Sequence, residues 1–266
     1  MVFILGGFWL HPVSFFITGF LLLAGTLFEY YLMAKSTGVR PQIIAGIIMG
    51  TAMYSIATLV AAGIAGIEWF LLLVIPALVI LVTQLYLKQD KPFDSLAHTF
   101  FGIMYIGIPF SLFPFAAFSR TGFGSILPHP EILFSPGLVI GFLLLLWTYD
   151  TGAYLCGVAF GKHRLMERIS PKKSWEGFFG GLIITVAAAW LLSGWFGLVS
   201  SSGWIIIALI IAVAGTYGDL TESMLKRSIG VKDSGSLLPG HGGLLDRFDS
   251  TLFAFPLVYL FVTLFG

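Results

Sequence analysis

Residues 42–66 read QIIAGIIMGTAMYSIATLVAAGIAG, a run without a single charged side chain. A bilayer core about 30 Å thick takes about 20 apolar residues of helix at 1.5 Å per residue, so a run of this length reads as a span. Working outward from it, comparable apolar runs fall at 8–34, 68–87, 96–118, 137–160, 176–199, 203–225 and 249–265, which makes eight. The apolar N-terminus is interrupted by His11-Pro12, and the last run is short for a full crossing, so a ninth element or a half-helix at either end is allowed. The expected fold class is an all-α integral membrane protein, a polytopic transmembrane helical bundle of about 8–9 spans.

Composition agrees. Of 266 residues, 58% are hydrophobic and only 10% charged, against about a quarter charged in soluble domains. A net charge of +1 without a concentrated basic face argues against a nucleic-acid partner. The single Cys156 lies in an apolar stretch, which rules out an intrachain disulfide and reads as a packing residue. The first lysine is Lys35, so the chain start lacks the basic n-region of a cleavable signal peptide and is expected to stay in the mature protein.

Charge placement gives an expected orientation. Of the 14 Lys and Arg residues, all but Arg120 fall in the loops after the first, third, fifth and seventh spans, which makes that side cytoplasmic and puts both termini outside. The expected localisation is the cell (cytoplasmic or inner) membrane, multi-pass, with the active site facing the cytoplasm. Gly46/Gly50, Gly137/Gly141, Gly157/Gly161 and Gly177/Gly181 repeat the small-xxx-small spacing of close helix packing; the same spacing permits a homodimer. With no internal repeat or linker in view, the chain is divided into residues 1–136, about four N-terminal spans, and 137–266, a C-terminal region that holds the polar chemistry.

Ionisable groups inside spans are costly and usually functional, which singles out Asp150 in the fifth run and Asp219 with Glu222 near the end of the seventh. Glu29 and Glu68 lie near span ends, where structural and functional readings both stay open. The segment 219–249 packs acids, bases and glycines together. If the seventh span continues as helix, Asp219, Glu222, Ser223 and Lys226 share one face, and Asp246 and Asp249 sit three apart in a turn adjoining the final span. Carboxylates presented from two helices suit a hard divalent cation such as Mg2+, which keeps waters or phosphates among its ligands. Lys226, Arg227, Lys232 and Arg247 suit phosphate oxygens, and Gly240, Gly242 and Gly243 let backbone amides approach an anion. No His/Cys cluster suggests zinc. A second stretch, from Asp150 through Lys172, Lys173 and Ser174, mixes the same residue types on the same side, where its lysines could equally attract anionic lipid headgroups.

These residues resemble a known family. Ser223-x-x-Lys226-Arg227, then Lys232-Asp233, then Pro239-x-His241-Gly242-Gly243-x-x-Asp246-Arg247-x-Asp249 is similar to the signature of phosphatidate cytidylyltransferases, also called CDP-diacylglycerol synthases. The stretches around Asp150 and Ser170-Pro-Lys-Lys-Ser-Trp-Glu-Gly resemble the family too, so the likeness covers most of the C-terminal half. It implies transfer of a cytidylyl group from CTP to phosphatidate, a membrane phospholipid, with Mg2+ and, as an option, a second cation. On that reading Asp219, Asp246 and Asp249 hold metal, and Lys226 acts with them. Asp150, Lys172, Lys173, Ser174, Ser223, Arg227, Lys232, Asp233, His241, Gly242, Gly243 and Arg247 line the substrate site. An ion-coupled transporter with Asp150 and Asp219 as its relay is the alternative, but it should carry polar groups to the far side, where this chain is nearly free of charge.

Overall fold

The computed structural model describes residues 2–120, 132–196, 199–231, 234–235 and 242–266. Helices α1 (Val2–Trp9), α2 (Pro12–Lys35) and α3 (Ile43–Ala61) precede a 3-10 stretch, Ile67–Leu73, that runs into α4 (Val74–Tyr86). Helix α5 (Pro92–Gly102) continues through a π-helical segment, Ile103–Gly107, into α6 (Ile108–Ala117), and short strands β1 (Phe118–Arg120) and β2 (Ile132–Phe134) pair antiparallel. Helix α7 (Gly137–Phe160) leads through an antiparallel hairpin, β3 (Arg164–Met166) and β4 (Ser170–Ser174), into α8 (Trp175–Ser193). Helix α9 (Ser201–Ile210) passes through a second π segment, Ile211–Gly215, into α10 (Thr216–Ser228), and α11 (Leu245–Phe265) ends the chain.

Taken as continuous rods, eight helices among the described residues are long and apolar enough to cross a membrane. The chain is an all-α integral membrane protein, with α1 as a short additional element before the first span. Two boundaries differ from the hydropathy reading in ways that matter. The seventh span runs on to Ser228, and the last begins at Leu245 rather than 249. The stretch Asp246-Arg247-Phe248-Asp249, expected as a turn, is instead the first turn of α11. Its polar residues hide it from a search for apolar runs, yet Asp in a first turn is favourable beside unpaired helix N–H groups.

By internal contacts the chain forms two compact units, residues Met1–Pro136 with Asp233–Arg247, and Gly137–Lys232 with Phe248–Gly266. In the first, α2 and α3 pack with α6 around buried Phe8, Phe15, Tyr54, Phe110 and Phe113. Phe8 stacks tilted on Phe15 with ring centroids 4.9 Å apart and meets Phe113 edge-on at 5.8 Å, the geometry that aromatic quadrupoles favour. Leu71 just before α4, and Ile75, Leu78, Val82 and Leu85 on it, are exposed along one stripe, a lipid-facing surface in a membrane protein.

In the second unit α7 and α8 form the most extensive pair. A Cβ on Gly181 would lie 2.9 Å from both the Ala153 Cβ and the Ala153 nitrogen, so only glycine lets the two backbones come this close. The buried Trp204 lies over Gly141 and donates from Nε1 to the Phe196 carbonyl at 3.1 Å. Gly46 and Gly50 in the first unit face Tyr31 and Leu27. These glycines therefore pack within the chain, as the small-xxx-small reading expected.

Candidate active site

Helix α10 carries Asp219, Glu222, Ser223 and Lys226 on one face, as the spacing predicts. The Ser223 hydroxyl donates to Asp219 Oδ1 at 3.2 Å, and Lys226 Nζ pairs with Glu222 Oε2 at 2.5 Å. The Glu222 side chain is fully buried and that of Lys226 only 14% exposed. A charge pair this deep persists only because each partner offsets the other's lost hydration.

Neighbouring elements bring further acids to α10. Tyr149 Oη and Thr216 Oγ1 are 2.6 Å apart and tie α7 to α10 one residue before Asp150 and three before Asp219. On the other flank the Ser250 hydroxyl donates to the Gly215 carbonyl at 3.0 Å. A Cβ on Gly218 would fall 2.7 Å from the Asp249 carbonyl oxygen and 3.0 Å from the Ser250 Cα, so glycine there lets α11 lie directly against α10. Asp249 is buried, with Oδ1 accepting from the Ser250 N–H at 2.5 Å, and feels the charges of Asp219, Glu222 and Asp150. Strand β4 adds Lys173, whose Nζ lies 2.6 Å from Asp219 Oδ2. Asp150 is exposed and within electrostatic reach of Asp219 and Lys173.

Four carboxylates thus meet two lysines. That surplus of hard oxygen donors fits a divalent cation. Among the described residues no three Asp, Glu, His or Cys side chains are grouped so as to hold a metal ion by themselves.

The remaining predicted residues are more dispersed. Lys172 is exposed on β4, and Arg227 is exposed in the last turn of α10. Ser174 is buried, and its hydroxyl caps α8 by accepting from the Gly177 N–H at 3.2 Å. Beside it Glu176 accepts from the Lys162 and His163 N–H groups and meets His163 Nδ1 at 2.6 Å, which fixes the hairpin bearing the lysines. In the first unit Asp246 Oδ2 accepts from the Ser234 N–H at 3.1 Å and the Gly243 N–H at 3.2 Å. Gly242 has a φ of +80°, a conformation that favours glycine, and Arg247 is exposed. Lys232, Asp233 and His241 lie outside the described residues. Sequence reasoning singled out Glu222 but left it out of the site set; its spacing of i+3 from Asp219 and i−4 from Lys226 was the available signal.

A family model described as the cytidylyltransferase family matches residues 1–265. Among curated proteins, the phosphatidate cytidylyltransferase of Bacillus subtilis is 45% identical over 128 residues, 46% of this chain and 46% of that protein. That of Synechocystis is 46% identical over 142 residues, 51% of this chain and 47% of that protein. The Staphylococcus aureus enzyme of the same name is 50% identical over 117 residues, 43% and 45% of the two chains. The chain spans about half the length of the curated relatives it matches. The transporter alternative gains no support from these comparisons. With the family model matched almost from end to end, the chain belongs to the cytidylyltransferase family.

Proposed function

We propose that this protein transfers CMP from CTP to phosphatidate, giving CDP-diacylglycerol and pyrophosphate. A phosphate oxygen of phosphatidate forms a bond to the α-phosphorus of CTP as the bond from that phosphorus to the β-phosphate bridging oxygen breaks, and pyrophosphate leaves with the electron pair. Phosphatidate is already ionised at neutral pH, so no dedicated general base is needed. The observation that carries the reading is the cluster of Asp150, Asp219, Glu222 and Asp249 facing Lys173 and Lys226 at the polar end of membrane-spanning helices. A lipid phosphate and a soluble nucleotide can meet only at such an interface.

On the family resemblance, Asp219, Asp246 and Asp249 would hold Mg2+, and a second cation is allowed. Bound there, Mg2+ would offset charge on the transferring phosphoryl group and on pyrophosphate. Lys173, paired with Asp219, has the reach and charge to hold a substrate phosphate, and exposed Lys172, Arg227 and Arg247 offer further donors. Lys226, anchored by Glu222, presents a fixed positive charge. In this proposal Lys232, Asp233, His241, Gly242, Gly243 and the Ser174 end of the hairpin complete the substrate site. The basic loops face the cytoplasm of the cell membrane, and a homodimer is the assembly to look for by mass in detergent.

The test is pyrophosphate release by detergent-purified protein given phosphatidate, CTP and Mg2+, repeated with ATP and with EDTA. Metal-dependent release with CTP and not ATP is expected. No release from folded protein under any of these conditions would overturn the reading and return weight to the transporter.

A further inference from the structure

Glu29 lies on α2, in the N-terminal region where the sequence shows only generic apolar spans, and is 1% exposed. A carboxylate so placed is costly unless it is used. Its Oε2 accepts from the Leu245 N–H at 2.9 Å across 216 residues of sequence. Leu245 is the first residue of α11, and its N–H is one of the four that a helix leaves without an internal partner. The residue before it, Leu244, has no side-chain oxygen with which to cap, so the cap comes from another helix.

The same carboxylate rests on two stretches of backbone. A Cβ on Gly235 would lie 2.7 Å from Glu29 Oε1, and one on Gly243 would lie 2.7 Å from Glu29 Oε2. Those stretches also supply the Ser234 and Gly243 N–H groups that hold Asp246 Oδ2. Glu29 and Asp246 therefore grip one shared piece of chain at the start of α11. We infer that Glu29 is a positioning residue, a remote cap that fixes the first turn of α11 and through it the aim of Asp246; this rests on the cytidylyl-transfer reading for its effect on turnover.

The experiment compares the parent with Glu29→Ala and Glu29→Gln by hydrogen–deuterium exchange over peptides covering 242–250, and by pyrophosphate release across a Mg2+ series. In folded Glu29→Ala, exchange across 243–247 should speed at least tenfold while the α7–α8 pair stays at parental rates. The Mg2+ concentration for half-maximal turnover should rise at least fivefold, with much of kcat regained at saturating Mg2+. Glu29→Gln, which keeps the size and one acceptor oxygen but loses the charge, should shift both readings at least twofold and less than Ala does.

Parental exchange in folded Glu29→Ala would overturn the inference. So would faster exchange with unchanged Mg2+ dependence, which would leave a cap with no bearing on Asp246. If Glu29→Ala fails to fold, Glu29→Gln decides by the same readings, and parental values or collapse of the whole fold in that variant overturns the inference. Should the parent itself release no pyrophosphate, the functional reading fails, while the exchange data still decide whether Glu29 clamps α11.

Discussion

Asp249 has its backbone against Gly218, its carboxylate on its own helix's next N–H, and two other aspartates plus a glutamate acting on it. Neutralising it while keeping its shape should remove a cation ligand and little else. Asp249→Asn is expected to lose turnover by at least about 10²-fold, the scale of deleting one preorganised charge-stabilising contact, with unchanged elution in detergent; Asp246→Asn should do the same, and a folded variant of either with near-parental rate removes that residue from the metal site. Lys173→Met should act on substrate binding. Charge-assisted hydrogen bonds contribute about 1.5–3 kcal/mol, so the CTP concentration for half-maximal rate should rise by about 10-fold or more, read by the same pyrophosphate assay at fixed Mg2+. At this scale the α10 face was legible, because Asp219, Ser223 and Lys226 fit one helical period. The Lys173–Asp219 pair was not, since no local spacing encodes a contact between a hairpin strand and a helix 46 residues later.

The elements are legible where apolarity defines them and obscure where it does not. All eight spans are present, because length and absence of charge are what a bilayer demands. The start of α11 was missed by four residues, since Asp246 and Arg247 break the apolar run while extending the helix. Ser174 shows the converse case. Its position beside two lysines suggests substrate contact, and its hydroxyl also caps the start of α8, a role no apolar run encodes. Ser174→Ala should therefore lower stability by about 1 kcal/mol, the usual worth of an N-cap, seen as a lower unfolding temperature in detergent. A variant with parental stability but impaired CTP dependence would instead put that hydroxyl on the substrate.

For the whole molecule, the basic loops imply a topology, and Lys35, exposed at the end of α2, tests it. In a Cys156→Ser background, Lys35→Cys should react with a membrane-impermeant thiol reagent only after cells are opened; labelling of intact cells would invert the topology. What no local pattern reveals is that the described residues 234–235 and 242–247 group with the N-terminal unit. That grouping is a product of long-range packing, of which the Glu29–Leu245 bond is one instance. Within the seventh span, the π segment Ile211–Gly215 interrupts the α ladder ahead of Asp219. A π turn accommodates one residue more than the α ladder needs, so the span contains a place where chain length can change without altering the register of α10. Deleting Val213 should restore regular helix and leave Asp219 on its face, whereas deleting Leu209 should rotate the rest of the span by about 100°. The first variant is expected to retain pyrophosphate release and the second to lose it, which makes this turn the point where the span can evolve by insertion and deletion.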